Sequence, residues 1–196
     1  IKGPFDEKFP ARFVDLSHYE QCDFDKLDLK KLFITKCSEG IWTKDGVYES
    51  YKAECLKRKI PFGAYHFFFL YQDPIKQADW FLRCLGENAF PILDIENLEE
   101  KITYDQVESI ILPFLERVEQ YTGKTPIIYT GHSFAVSCKF SQKMAKYPLW
   151  LARYCSFIPT APAPWSDFWA WQYSDKGIVA GIGDCDNNYL KGEIWT

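Results

Sequence analysis

The sequence predicts an α/β fold in which a mostly parallel sheet closes into one irregular barrel. Three observations lead there. Short apolar runs alternate with amphipathic stretches, the runs number eight, and the last quarter of the chain carries runs joined only by loops. Strands separated by helices imply right-handed parallel crossovers and a sheet buried on both faces. Eight such strands suit closure.

The first strand is Arg12–Leu16 and the second Leu32–Cys37, with a short helix expected between them at Phe24–Lys31. The amphipathic stretch Val47–Lys59 predicts a helix, followed by a strand at Phe62–Phe67, a helix at Pro74–Leu85 and a strand at Pro91–Ile95. Helix Tyr104–Thr122 has a start in Thr103, with Gln106 three residues on, and a stop in Gly123. Strand Pro126–Tyr129 and helix Phe134–Ala145 complete five strand–helix units. Strands Leu149–Arg153, Phe168–Tyr173 and a last one near Ile178–Cys185 then follow. Pro159, Pro162 and Pro164, with Ala161 and Ala163, make Ile158–Trp165 a loop. No repeat, linker or low-complexity segment divides the chain, so residues 1–196 are expected to form a single domain.

Composition narrows the function. With 47 % apolar and 26 % charged residues in 196, the chain can bury enough surface to offset its ordering entropy, which excludes intrinsic disorder. No apolar run approaches the ~18 residues of a membrane span. The 23 basic and 27 acidic residues leave a net charge of −4 with no basic stripe, which argues against nucleic acid as partner. The same charge excludes global steering toward a polyanionic surface. Aromatic residues reach 18 %, and seven Trp with twelve Tyr exceed what packing requires; such flat, half-polar side chains suit a cleft that holds sugar rings. The seven cysteines are scattered without a C-x-x-C pair, which supports neither a zinc site nor a redox motif, and their odd number argues against a complete disulfide framework. They are expected to be small buried hydrophobes. Neither an initiator Met nor a signal-peptide pattern occupies Ile1–Pro10, as expected of a trimmed or mature chain whose address is unreadable there.

Candidate chemistry lies where barrel strands end, because those ends converge on one face. Asp15 closes the first strand, Asp94 and Glu96 close the fourth, and Asp186 follows the last. A carboxylate inside an apolar strand is costly unless paired or functional. Residues two apart on a strand share a face, with Cα atoms about 6.5 Å apart, so Asp94 and Glu96 are expected to point into the same mouth. Two like charges so placed cannot both ionise cheaply, and one should hold its proton near neutral pH. Glycosidic cleavage needs that arrangement: one protonated carboxyl for the leaving oxygen and one charged group for the oxocarbenium-like transition state.

Taken in order, several segments resemble glycoside hydrolase family 25, the lysozymes or N-acetylmuramidases. They are Phe13–Tyr19 (FVDLSHY), Phe33–Gly40 (FITKCSEG), Gly63–Phe67 (GAYHF), Pro91–Glu96 (PILDIE), Ile128–Gly131 (IYTG), Leu149–Tyr154 (LWLARY), Trp171–Ser174 (WQYS) and Asp186–Gly192 (DNNYLKG). The resemblance implies an irregular (β/α)5(β)3 TIM-like barrel and cleavage of the β-1,4 bond between N-acetylmuramic acid and N-acetylglucosamine in peptidoglycan. It matches Glu96 to the family's proton donor, Asp94 to that residue's partner, and Asp15 and Asp186 to the flanking acids. The frame D-x-N-x-(apolar)-x-G selects Asp186 over the nearby Asp184. Cys37 stands where a small Ala is usual and Leu190 where an aromatic is usual, departures that bear on substrate preference. No cofactor or metal is implied. The partner is the peptidoglycan glycan strand, met outside the cytoplasm by a monomer.

Two routes to net retention remain open. In one, Asp94 orients the substrate's own 2-acetamido group, which attacks the anomeric carbon while Glu96 serves as general acid and base; in the other, Asp186 or Asp94 is a covalent nucleophile. Tyr65, His66, Tyr129, Trp150 and Trp171 lie at or near strand ends as candidate sugar contacts. Glu39 ends the second strand, where a structural ion pair is expected; His18 and His132 receive no role. Two alternatives use the same acids. One is a metal-dependent hydrolase with Asp15, Asp94, Glu96, Asp186 and His66 as ligands; the other is a glycan-binding module that keeps the cleft without the chemistry.

Overall fold

The computed structural model describes residues 5–28 and 31–193. Its elements run β1 (Ala11–Leu16), β2 (Phe33–Glu39), β3 (Thr43–Lys44), α1 (Tyr48–Arg58), β4 (Phe62–Phe67), α2 (Pro74–Leu85) and β5 (Phe90–Asp94). After these come α3 (Tyr104–Thr122), β6 (Ile127–Gly131), α4 (His132–Cys138), a 3-10 turn at Gln142–Lys146, β7 (Leu149–Ala152), β8 (Ala170–Val179) and β9 (Gly183–Leu190). The sheet order is β1-β9-β8-β7-β6-β5-β4-β2, with β3 appended to β2, and a parallel β1–β2 pairing closes the ring. Among the described residues only β1–β9, β8–β9 and the short β2–β3 hairpin are antiparallel. Eight closed strands therefore form the expected barrel, and β3 is a small addition that two exposed residues do not announce in the sequence.

Local signals explain the helices. Asp73 caps α2 by accepting from the Ile75 and Lys76 N–H groups, both at 2.9 Å, and Pro74 opens the first turn. At the start of α3 the Thr103 N–H donates to the Gln106 side chain at 2.9 Å; at its end Gly123 takes the left-handed conformation, as the sequence predicts.

Alternation along each strand sorts the two sides of the sheet. Phe13, Leu32, Ile34, Phe90, Ile92, Ile127, Trp150, Trp169 and Leu190 fill the barrel interior. Val14, Phe33, Leu93, Ile128, Leu151 and Trp171 turn outward into the layer beneath the helices, with Phe81, Phe114 and Val118. The apolar interior closes the barrel below the mouth, so polar groups gather at its upper end.

Three boundary expectations fail for tertiary reasons. The helix at Phe24–Lys31 does not form over its described part: Phe24–Lys26 make one turn, and Leu29 and Lys30 lie outside the described residues. There the Asp23 carboxylate accepts from the Asp25 N–H, and the Asp23 N–H donates to the Gly181 carbonyl at 2.6 Å, which fixes the segment to the β8–β9 turn. The stretch Phe134–Ala145 is split, because Lys139 adopts φ +49 and the Glu108 carboxylate captures the Ser141 N–H and hydroxyl at 2.6 Å each. Finally, the run Ile178–Cys185 is the tip of a hairpin. β8 extends to Val179, the chain reverses through Gly181 and Gly183, and β9 continues to Leu190. Asp186 consequently lies inside β9, paired in register with Asp15, instead of following the last strand.

Gly181 sits at φ +87, and a Cβ there would stand 2.5 Å from the Asp23 carbonyl oxygen. Gly181→Ala is expected to cost about 2 kcal/mol or more, read as a lower urea midpoint with an unchanged m-value.

Candidate active site

Asp15, Tyr65, Asp94, Glu96, Tyr129, Trp150 and Asp186 border a cavity of about 60 Å³ at the mouth of the barrel. Register puts them on one face: Asp15 opposes Asp186, Tyr129 opposes both Asp94 and Trp150, and Phe67 opposes Asp94. Asp94 ends β5, and Glu96 lies two residues beyond it, exposed at the rim. The chain stays extended enough there for the Ile95 N–H to reach the Tyr129 carbonyl at 3.0 Å. A larger cavity of about 460 Å³, lined by Phe90, Pro91, Lys124, Lys146 and Pro148, opens where β5 to β7 begin and carries no carboxyl.

The four acids form two pairs in different surroundings. The Asp94 and Glu96 carboxyls hydrogen-bond to each other. Among the described residues no donor reaches the buried Oδ1 of Asp94. Burial pushes Asp94 well above the usual carboxylate range, and the charge of Glu96 pushes it further. Glu96 is also raised by burial of its carboxyl, but its bond with Asp94 and the nearby Lys36 ammonium hold that rise down. Both carboxyls are therefore shifted toward the protonated form, Asp94 the further of the two.

Asp15 and Asp186 are better supplied. The Asn188 amide donates to Asp15 Oδ2 at 2.6 Å. Gln172 Nε2 donates to both Asp15 oxygens, at 3.3 and 3.2 Å, and to Asp186 Oδ2 at 3.2 Å. Burial raises Asp15 to about 6 against the pull of these donors. Burial, followed by the charges of Asp15 and Glu20, raises Asp186 to about 8. Gln172 can turn only one way, since its Oε1 accepts from the Tyr129 and Tyr154 hydroxyls at 2.8 Å each. Trp150 Nε1 likewise donates to Asn188 Oδ1 at 2.7 Å and orients that amide toward Asp15.

Of the expected aromatic contacts, Tyr65, Tyr129 and Trp150 border the cavity, whereas His66 and Trp171 do not. His66 is fully buried on the helix side, between Ser38 Oγ at 2.9 Å and Gln77 Oε1 at 3.3 Å, with its ring stacked on Phe114. Burial lowers its pKa to about 3, so it stays neutral. This also removes the nitrogen ligand that the metal-dependent alternative used. Trp171 packs among Phe5, Phe9, Tyr173 and Tyr189 and donates to the Arg153 carbonyl at 2.7 Å. Both corrections share a reason: Tyr65 and Gln172 face the interior, so their chain neighbours His66 and Trp171 must face out. Gln172, Asn188, Tyr154 and Lys36 are the residues that sequence reasoning missed, although strand parity alone would have exchanged Trp171 for Gln172. Glu39 makes the expected ion pair, with Lys36 Nζ at 2.5 Å. Asp184 is an exposed residue at the start of β9.

A family model described as glycosyl hydrolases family 25 matches residues 14–182. The chain belongs to this family. It is 34 % identical over 136 residues to YegX of Escherichia coli K12, a match that covers 67 % of this chain and 48 % of YegX. The chain thus spans about half the length of that relative. Lysozyme M1 of Streptomyces globisporus is 31 % identical over 209 residues, covering 97 % of this chain and 70 % of the relative. Among solved structures, the bacterial lysozyme from Streptomyces coelicolor superposes with a TM-score of 0.84 at 26 % identity over 93 % of each chain. The family 25 barrel is therefore shared along nearly its whole length.

Two measurements probe the mouth. A carboxyl that titrates higher in the fold than in the unfolded chain stabilises the fold while protonated. For Asp186 and Asp15 that contribution is full below about pH 4 and is lost as pH rises through about 6 and about 8. Asp186→Asn, which keeps an acceptor for Gln172, should raise the thermal midpoint by a few degrees at pH 8.5 and hardly at all at pH 4. Gln172→Leu removes donors that favour ionised Asp15, so Asp15 should titrate above its parent value when followed by carboxyl ¹³C NMR.

Proposed function

We propose that this family 25 protein is a peptidoglycan hydrolase. On this reading it is an N-acetylmuramidase that cuts the β-1,4 bond between N-acetylmuramic acid and N-acetylglucosamine with net retention, and it works as a monomer on bacterial cell wall outside the cytoplasm. The observation that carries the reading is the Asp94–Glu96 pair, one carboxyl deep and one at the open rim, on the same cavity as Asp15 and Asp186; on this reading the pair shares one proton. The names of the relatives support it: one is a lysozyme, and another, from Arthroderma benhamiae, is an N,O-diacetylmuramidase. No helix among the described residues is long and apolar enough to cross a membrane.

A sugar entering the mouth brings its 2-acetamido N–H toward Asp94. That donor favours the charged form of Asp94, and the shared proton passes to Glu96. Glu96 gives it to the glycosidic oxygen as the bond from that oxygen to the anomeric carbon breaks. The acetamido carbonyl oxygen bonds to the same carbon from the opposite face, and Asp94 steadies the positive charge of the resulting oxazolinium. Water then attacks the anomeric carbon and yields a proton to Glu96, while the bond to the carbonyl oxygen opens. Two inversions leave the configuration retained. Asp15 and Asp186, held by Gln172 and Asn188, bind sugar polar groups beside the reacting centre, and Tyr65, Tyr129 and Trp150 shape its walls.

Mass spectrometry of products from purified peptidoglycan tests the reaction. Reducing-end muramic acid is expected; reducing-end glucosamine or freed peptides would overturn the reading. Glu96→Gln should lower kcat by about 10²-fold or more while glycan binding persists, which separates a hydrolase from a binding module. An enzyme-linked sugar caught by intact-mass measurement would replace the acetamido route with a covalent one.

A further inference from the structure

From Tyr65 onward the chain alternates without a break. Tyr65, Phe67 and Phe69 are half-exposed and Tyr71 is 64 % exposed, whereas His66, Phe68 and Leu70 are buried. The alternation continues past the end of β4 at Phe67, so four aromatic rings follow one another on the mouth side. Tyr65 borders the catalytic cavity, and Phe67 stands in register beside Asp94. Phe67 and Phe69 have ring centroids 5.4 Å apart and meet edge-on at 72°, and Phe69 and Tyr71 are 5.5 Å apart and tilted at 41°, so each ring braces the next. The rings form a ladder that leads out of the mouth.

Its backbone is tied down although it lies in a loop. The Phe68 N–H donates to the Asp94 carbonyl at 3.0 Å. Gln77, from α2, grips Phe69 on both sides, accepting from its N–H at 2.9 Å and donating to its carbonyl at 2.8 Å. The Glu99 carboxylate accepts from the Leu70 N–H at 2.8 Å. Gly40 at the end of β2 completes the support: its φ is +54, and a Cβ there would stand 3.1 Å from the Phe69 ring. A segment held this firmly, with apolar rings left in water, is preorganised for a flat ligand whose face carries C–H groups. Lys36 Nζ lies 5.1 Å from the Phe67 ring centre, and Phe67 is in register beside Asp94, so the inner end of the ladder adjoins the acid pair.

We propose that Phe67, Phe69 and Tyr71 are a sugar-binding platform that holds the glycan strand beyond the bond being cut. The inference rests on the muramidase reading of the mouth and adds where the rest of the strand lies. It makes the enzyme selective for long strands, since only a strand that overhangs the mouth reaches Tyr71.

The test compares Tyr71→Ala, Phe69→Ala and the double variant with the parent on purified glycan strands of graded length. The parent's kcat/KM should climb with strand length; in the double variant the ratio of long-strand to tetrasaccharide kcat/KM should drop about tenfold, and the loss should fall on KM. Tyr71→Ala changes an exposed side chain and should show a smaller drop in the same direction with the parent's thermal midpoint, which keeps the test valid if Phe69→Ala unfolds. An unchanged length ratio in Tyr71→Ala and the folded double variant would overturn the proposal. So would an equal KM rise on tetrasaccharide, which would mean a disturbed mouth. Calorimetric titration of long strands into Glu96→Gln, with and without the ladder substitutions, reads binding alone: a roughly tenfold weaker Kd supports the platform even if no hydrolysis is found, and equal Kd values overturn it. Absence of hydrolysis by the parent would count against the proposed reaction only.

Discussion

Four carboxyl groups border one cavity of about 60 Å³ at the upper end of a closed barrel whose lower interior is apolar. A barrel can keep such a set only by neutralising some of the groups or by aiming fixed donors at them. Both solutions operate side by side. Asp15 and Asp186, on β1 and β9, receive the amides of Gln172 and Asn188. Asp94 and Glu96, on the opposite wall, have each other and the more distant field of Lys36. The mouth is thereby divided into a wall of fixed hydrogen bonds and a wall whose two carboxyls burial shifts toward the protonated form. Acid–base chemistry on a sugar needs the second wall to be mobile in charge and the first to be rigid in shape.

Rigidity comes from the way each donor is itself oriented. Gln172 cannot rotate because two tyrosine hydroxyls occupy its oxygen, and Asn188 cannot rotate because Trp150 does the same. Of those aromatic side chains, Tyr129 and Trp150 stand on the plug of Phe13, Ile34, Ile92 and Trp169. Hydrogen bonds to ionised groups are worth about 1.5–3 kcal/mol, but only donors already in place avoid spending that energy on their own ordering. The apolar plug therefore contributes to the chemistry as well as to stability. His66 belongs to the outer support: neutral and sandwiched between Ser38 and Gln77, it joins β2, β4 and α2, and the same Gln77 holds the loop that carries Phe69.

Much of this was legible beforehand. The alternation of strands and helices, the Thr103–Gln106 cap, the stop at Gly123 and the proline-rich loop at Ile158–Trp165 are local signals, and the structure follows them. The approach of Asp94 and Glu96 to one another follows from chain geometry over two residues. Less legible was anything decided by a partner far along the chain. Ser141 leaves the helical path because Glu108 captures it, and the segment from Phe24 departs from it because the preceding Asp23 N–H is tied to Gly181. Trp171 looked like a sugar contact because tryptophans often are, yet parity sends it to the core and brings a glutamine to the mouth.

The amino-acid order by itself determined the fold class, most of its elements, the four acids and the spacing that couples Asp94 to Glu96, because these depend on interactions within a few residues and on a period of two or of 3.6. Only the closed sheet decided which carboxyl meets which, which amide holds them and which of two neighbouring aromatic residues reaches the cleft. Those outcomes depend on register between strands more than a hundred residues apart, such as Asp15 beside Asp186, and on the side of the sheet to which each residue turns once the barrel has closed.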